Sequence, residues 1–206
     1  MFLRLLLIFI CLNTVKIAPG QDVILIPEVL MGNRSQTYLQ YIGYDFNKRL
    51  SVNNLTLFDT EYSDDSNNIH FVRNTISYEV STNVLFNTSI GVKNPGHFAT
   101  IALQYRYSKK DLQFSYSAGT TYQEGFTLEQ SLLLKYTPSI SNNLKAYFNL
   151  LAIANIDLKE YQRGIQQLRL GMLKHQTAYG LGLNLDQFNN ASKTLSNLGV
   201  FIKHNF

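Results

Sequence analysis

The side chains able to do chemistry are few and scattered. Four histidines are present: His70, His97, His175 and His204. None shares a strand face with a second ligand at close spacing, so they do not assemble the tetrahedral set that zinc requires. A histidine base could activate a hydroxyl nucleophile held within hydrogen-bond reach. His97 is the candidate, with Thr100 the nearest downstream hydroxyl, and no local motif accompanies it. Asp59, Glu61, Asp64 and Asp65 form an acidic stretch, but their spacing is not that of a calcium loop, and solvated loop charge explains them. Gly180-Leu181-Gly182 lacks the third glycine and the strand-to-helix context of a dinucleotide site, and is read as easing inward packing. The single Cys11 excludes a disulfide framework and a cysteine zinc site. No cofactor is implied.

The elements that carry these residues show a period of two. In 198–206, Leu198, Val200, Ile202 and Phe206 share one parity, and Gly199, Lys203 and Asn205 share the other. Successive strand side chains point to opposite faces, so this is a strand with one apolar and one polar face. The same alternation runs through 100–107, 112–119 and 179–186. When the faces are assigned from the apolar residues alone, the charges Arg73, Glu79, Lys93, Arg106, Glu129, Lys135, Arg169, Asp186 and Lys203 all fall on the polar parity. The sheet therefore has one uncharged face. A lipid-facing surface demands that, and so does the core of a soluble sandwich.

Strand length and aromatic placement separate the two. The runs near 69–80, 97–107, 111–121, 126–137, 163–174 and 194–206 each last about ten to thirteen residues. Soluble strands average about 5–6, whereas a tilted bilayer-crossing strand needs about 9–11. Tyr44, Phe46, Tyr78, Tyr107, Tyr136 and Phe206 stand at strand ends beside turns, as in the interfacial girdles of membrane barrels. The tyrosine before the turn recurs at 44, 78, 107 and 136, one hairpin and its outer connection per repeat. Turns at 108–111 and 174–177 are tight, and the opposite connections are expected to be longer. Twelve strands are predicted, over 23–33, 36–46, 50–61, 69–80, 84–93, 97–107, 111–121, 126–137, 144–156, 163–174, 178–188 and 194–206. Two of these fit poorly. Residues 23–33 are apolar on both parities and contain Pro27, and 50–61 is badly phased, so ten strands is the next choice.

Residues 1–20 are read as a secretory signal peptide: Arg4, an apolar stretch from Leu5 to Leu12, then Ala18 and Gly20 before a cut ahead of Gln21. Removing Arg4 and Lys16 lowers the net charge from +4 to +2 and removes the only cysteine. The remainder, 21–206, is expected to be one barrel domain. Only 16% of the chain is charged, against a usual 25% or so. Short pairs such as Lys48-Arg49 and Lys109-Lys110 sit in turns, so no nucleic-acid partner is indicated.

A leader, repeated amphipathic hairpins and a terminal Phe206 together resemble the bacterial outer-membrane β-barrel proteins. The fold this implies is all-β, a closed antiparallel up-and-down transmembrane barrel in the bacterial outer membrane. In that class the last strand ends in an aromatic residue with apolar residues at alternate positions before it, as Leu198, Val200, Ile202 and Phe206 do here. His204 departs from the pattern. The resemblance implies insertion by the barrel-assembly machinery, with those residues as its signal, and membrane lipid as the surrounding partner. The Asn/Gln-rich, tryptophan-free composition is similar to small barrels of Bacteroidota. The nine charges above would then face the lumen, basic residues leading. The function expected is a narrow, porin-like channel or passive transporter of small solutes. The alternatives are a structural or partner-binding envelope barrel without a pore, and a lipid-modifying enzyme using His97.

Overall fold

The computed structural model describes residues 23–94, 96–157, 161–188 and 192–206, so the leader lies outside it. Thirteen strands form one antiparallel sheet: β1 (Val23–Gly32), β2 (Ser35–Asp45), β3 (Leu50–Glu61), β4 (Ile69–Ser81), β5 (Val84–Lys93), β6 (Gly96–Lys109), β7 (Leu112–Tyr122), β8 (Phe126–Tyr136), β9 (Ser139–Ser141), β10 (Leu144–Ile156), β11 (Tyr161–Lys174), β12 (Thr177–Phe188) and β13 (Lys193–His204). The short β9 only flanks the start of β10. The other twelve pair in sequence order, and β13 pairs with β1 to close the wall. The result is a closed twelve-stranded barrel, not a ten-stranded one. Closure leaves no unpaired edge.

The two ill-fitting strands belong to the wall. Pro27 sits in β1, but the regular pairing of β1 with β13 runs only from Glu28↔Lys203 to Gly32↔Gly199. The missing N–H therefore falls just outside that ladder. Lys110 and His175 open two-residue turns with φ of 49° and 55°, the left-handed conformation a tight hairpin requires. The expected length difference between the two ends is not observed. Both ends carry connections of two to seven residues, because β6 and β11 extend back into stretches that read as loop.

The distribution of polarity is inverted relative to a water-soluble protein. Among the described residues, sixteen polar or charged residues are buried against nine hydrophobic ones. Outside, Ile90, Ile101, Leu103, Leu181, Leu198 and Val200 are each more than half exposed. At the end that carries both termini this belt is edged by Phe46, Tyr78, Tyr107, Tyr136 and Phe206, and at the other by Phe58, Tyr62, Tyr122 and Phe126. One outer sector is polar. Asn54 on β3 donates to Asn74 on β4 at 2.9 Å and accepts from Thr56 at 2.9 Å. This explains the poor phasing of 50–61: β3 turns Asn54 and Thr56 outward and Leu55 and Leu57 inward.

Candidate functional site

The interior is divided along its length. Towards the end carrying the 62–68 connection lies a narrow apolar cavity, open at its mouth. Leu39 of β2, Leu55 and Leu57 of β3, and Ile69 and Phe71 of β4 form one side. Leu151 and Ile153 of β10 and Ile165 of β11 form the other. Each is an inward position set by the period-two pleat. Above it lies a wider, open vestibule bounded by residues 123–127, Asp157 and Phe188. Lys93, Asn155 and Arg163 line both spaces and so mark the threshold between them.

The charges at that threshold are held in place. Arg73 on β4 meets Glu129 on β8 at 2.8 Å, although β5, β6 and β7 separate those strands in the wall, so the pair reaches across the inside. The Arg73 guanidinium also lies 5.2 and 5.1 Å from the ring centres of Phe71 and Phe98, within cation–π range. Arg163 binds Asp186 at 2.8 Å and lies 4.7 Å from the Phe188 ring centre. Lys93 sits 5.1 Å from the Phe98 ring centre and has no carboxylate within ion-pair distance among the described residues.

Towards the terminus-bearing end the interior is filled. Leu30, Tyr147, Ala178 and Phe201 form a buried cluster with Leu173 packed on it, and the Tyr147 and Phe201 rings lie 5.8 Å apart. Beside it, Arg169 is 1% exposed and donates to Glu28 at 2.7 Å and to Asn184 at 2.9 Å. Lys203 approaches Glu28 at 3.6 Å. Asn184 donates to Thr37 at 3.1 Å, Thr37 donates to Asp59 at 3.0 Å, and Arg34 donates to Asp59 at 2.6 Å and also to Glu61. One polar chain thus ties β11, β12, β1, β2 and β3 together and climbs from the filled region to Arg34 and Glu61 at the end carrying the 62–68 connection. Gly182 makes room for it, since a Cβ there would lie 2.6 Å from Leu30 Cδ1 and 3.1 Å from Arg169 Cδ. On the β4–β8 side hydroxyls pair between strands, Thr75 with Ser89 at 2.9 Å and Thr100 with Thr121 at 2.7 Å, and Thr121 donates to Glu129 at 3.0 Å.

The nine expected lumen charges fall into three groups. Arg73 and Glu129 pair with each other, as do Arg106 and Glu79 at 2.6 Å near the terminus-bearing rim. Arg169, Asp186 and Lys203 bond partners outside the expected set, Glu28 and Arg163. Lys93 and Lys135 have no ion-pair partner among the described residues. Sequence reasoning passed over Glu28, Arg34, Arg163 and the apolar cavity. Glu28 was detectable as the lone charge on a strand apolar on both parities, and Arg163 by its shared parity with Arg169. Leu198, Val200, Ile202 and Phe206 are exposed on the outside, with Phe206 at the terminus-bearing end. His97 is exposed on the outward parity of β6, whereas Thr100 is buried on the inward parity and bonded to Thr121, so the two do not form a base–nucleophile pair. Among the described residues no three His, Cys, Asp or Glu side chains gather as a metal set.

No family model and no curated protein sequence matches the chain. Solved structures do. A KdgM porin in complex with disordered oligogalacturonate matches with a TM-score of 0.57 at 10% identity, covering 89% of this chain and 99% of that one. A second KdgM porin structure matches at 0.55, with the same identity and coverage. The NanC porin matches at 0.52 and 8% identity, covering 90% and 99%. The chain has the fold of the outer-membrane porins. At these identities the likeness is one of fold, and the cavity has to be read from its own residues.

Proposed function

We propose that this barrel is a narrow passage for small solutes in the outer membrane of a bacterium. The observation that carries the reading is the inverted polarity: an exposed apolar belt edged by aromatic rings, around an interior of paired polar groups. In water such a belt would cost about 25 cal/mol for each Å² exposed, and in lipid it costs nothing. In lipid, too, every backbone group needs a partner inside the sheet, which closure by β13 and β1 supplies. The terminus-bearing end is the periplasmic one in this reading, and Leu198, Val200, Ile202 and Phe206 present the outward strand face that the assembly machinery recognises. Solutes enter at the vestibule and meet Arg73, Lys93 and Arg163. The filled half below them makes the passage tight and weakly anion-selective.

The test is single-channel recording of the purified, refolded barrel in planar bilayers, after an unboiled gel shows the fast mobility of a closed barrel. The expected result is a small conductance with anions favoured in a potassium chloride gradient. A barrel that folds and inserts but never conducts overturns the reading.

A further inference from the structure

We propose that the outer-half cavity binds a hydrocarbon carboxylate, with the acid group at Lys93 and the apolar body against Leu55, Leu57, Phe71 and Ile153. The inference deepens the passage reading by naming its solute class, and it rests on three features of this interior.

The first is the lining. A passage for hydrated solutes gains nothing from leucine walls, because wetting them is unfavourable. Here aliphatic and aromatic side chains of β2, β3, β4, β10 and β11 converge on one space. On β3 they do so while Asn54 and Thr56 occupy the outside, the reverse of the arrangement lipid favours. The apolar interior is thus a local inversion of the barrel's own pattern. A local violation of the general pattern is where a functional demand is expected.

The second is the charge count. Arg73 is paired with Glu129 and Arg163 with Asp186, whereas Lys93 has no carboxylate within ion-pair distance among the described residues, Glu124 and Asp157 standing further out in the vestibule. One cation above an apolar space fits one anionic group on an apolar body. Arg73 and Asn155 line the same cavity, and their buried Nε and Oδ1 have no partner among the described residues. They offer a donor and an acceptor beside the Lys93 ammonium.

The third is what the walls exclude. A polyhydroxylated acid needs a partner for every hydroxyl it brings out of water, and unpaired buried polar groups are costly. The hydroxyls of Thr75, Ser89, Thr100 and Thr121 are taken up by one another and, for Thr121, by Glu129, and all four lie outside the cavity.

The experiment uses the full barrel in lipid nanodiscs, with empty nanodiscs as the blank, and calorimetric titration of hexanoate, 1-hexanol and gluconate. Hexanoate is expected to bind saturably at one site, 1-hexanol at least about tenfold more weakly, and gluconate not at all. Lys93→Gln should lower hexanoate affinity about tenfold and leave hexanol unchanged, Lys93→Arg should restore hexanoate, and Leu57→Asn should weaken both. Absence of saturable hexanoate binding, gluconate binding as well as hexanoate, or no effect of Lys93→Gln would each overturn the proposal. Potassium chloride conductance reads the passage separately. Conduction without hexanoate binding defeats this inference alone, and hexanoate binding in a barrel that never conducts defeats the passage and keeps the site.

Discussion

The two halves of this interior are built from the same alternating strands and do opposite things. Around Arg169 the large side chains are buried against one another: Glu28, Asn184, Leu30 and Phe201 leave little free space. Around Leu55 the side chains line an open cavity. The difference teaches that a period-two pattern specifies which residues enter a barrel, and that pairing between distant strands then decides whether the inside is solid or hollow. Arg169 and Glu28 are 141 residues apart in the chain, so no local pattern links them.

The sharpest way to break this contrast is at the solid end. Arg169→Leu strands Glu28 among buried groups, with only Lys203 at 3.6 Å left near it. Losing one partner of a buried pair costs about 3–5 kcal/mol. Denaturant unfolding followed by circular dichroism should show that loss, and the double variant Glu28→Leu/Arg169→Leu should recover a large part of it. The channel should also conduct more in Arg169→Ala, because the filled half has lost its largest buried side chain. A single variant as stable as the parent would mean that the pair does not hold the two walls together.

A matched pair of truncations sharpens the contrast. Leu30 is 1% exposed inside the cluster, so Leu30→Ala should cost about 2–5 kcal/mol through lost transfer energy and a new void. Leu55 already faces open space, so Leu55→Ala only enlarges it, and a loss of about 1 kcal/mol or less is expected. Equal losses would erase the distinction between the halves. Gly182→Val tests the packing from the other side. Its Cβ would press on Leu30 and Arg169, and overpacking of this kind costs about 1–3 kcal/mol.

The barrel and most of its strand boundaries were legible in the sequence because lipid and closure impose a rule on every strand. The cavity was not, and the reason is physical. Its lining residues make their own strands look irregular: Leu55 and Leu57 spoil the phase of 50–61 by putting apolar groups on the face that elsewhere carries polar ones. A similar irregularity in 23–33 marks Leu30 and Glu28, which belong to the filled half. The two segments that fitted worst as strands therefore supply residues to the two distinctive regions of the interior. Alternation could say that Arg73 and Glu129 share a face, but not that they meet across three intervening strands.

The smallest effect is expected where the hollow half meets solvent. The connection after β3 holds a short 3-10 turn, Asp65–Asn67, capped by Asp64, whose carboxylate accepts the Ser66 hydroxyl at 2.6 Å and the Ser66 N–H at 3.0 Å. Those bonds hold the Asp64 carboxyl below its ordinary 3.8. A depressed carboxylate adds stability that is fully present above the unfolded value and is lost as pH falls through the folded one. The cap should therefore survive mildly acidic pH and fail only below the usual aspartate range. Hydrogen exchange at the Ser66 amide should report that failure, and Asp64→Ala should reproduce it at neutral pH. Asn67 of this turn accepts from Lys193 at 3.0 Å and donates to Glu61 at 3.0 Å, so loosening should reach the rim. The turn reaches Arg169 through a relay of Glu61, Arg34, Asp59, Thr37 and Asn184, and an effect that fades along that relay should leave the unfolding midpoint around Arg169 in place. A shift in that midpoint on uncapping would show the two halves to be one cooperative unit, and the contrast between them would be one of packing without independence.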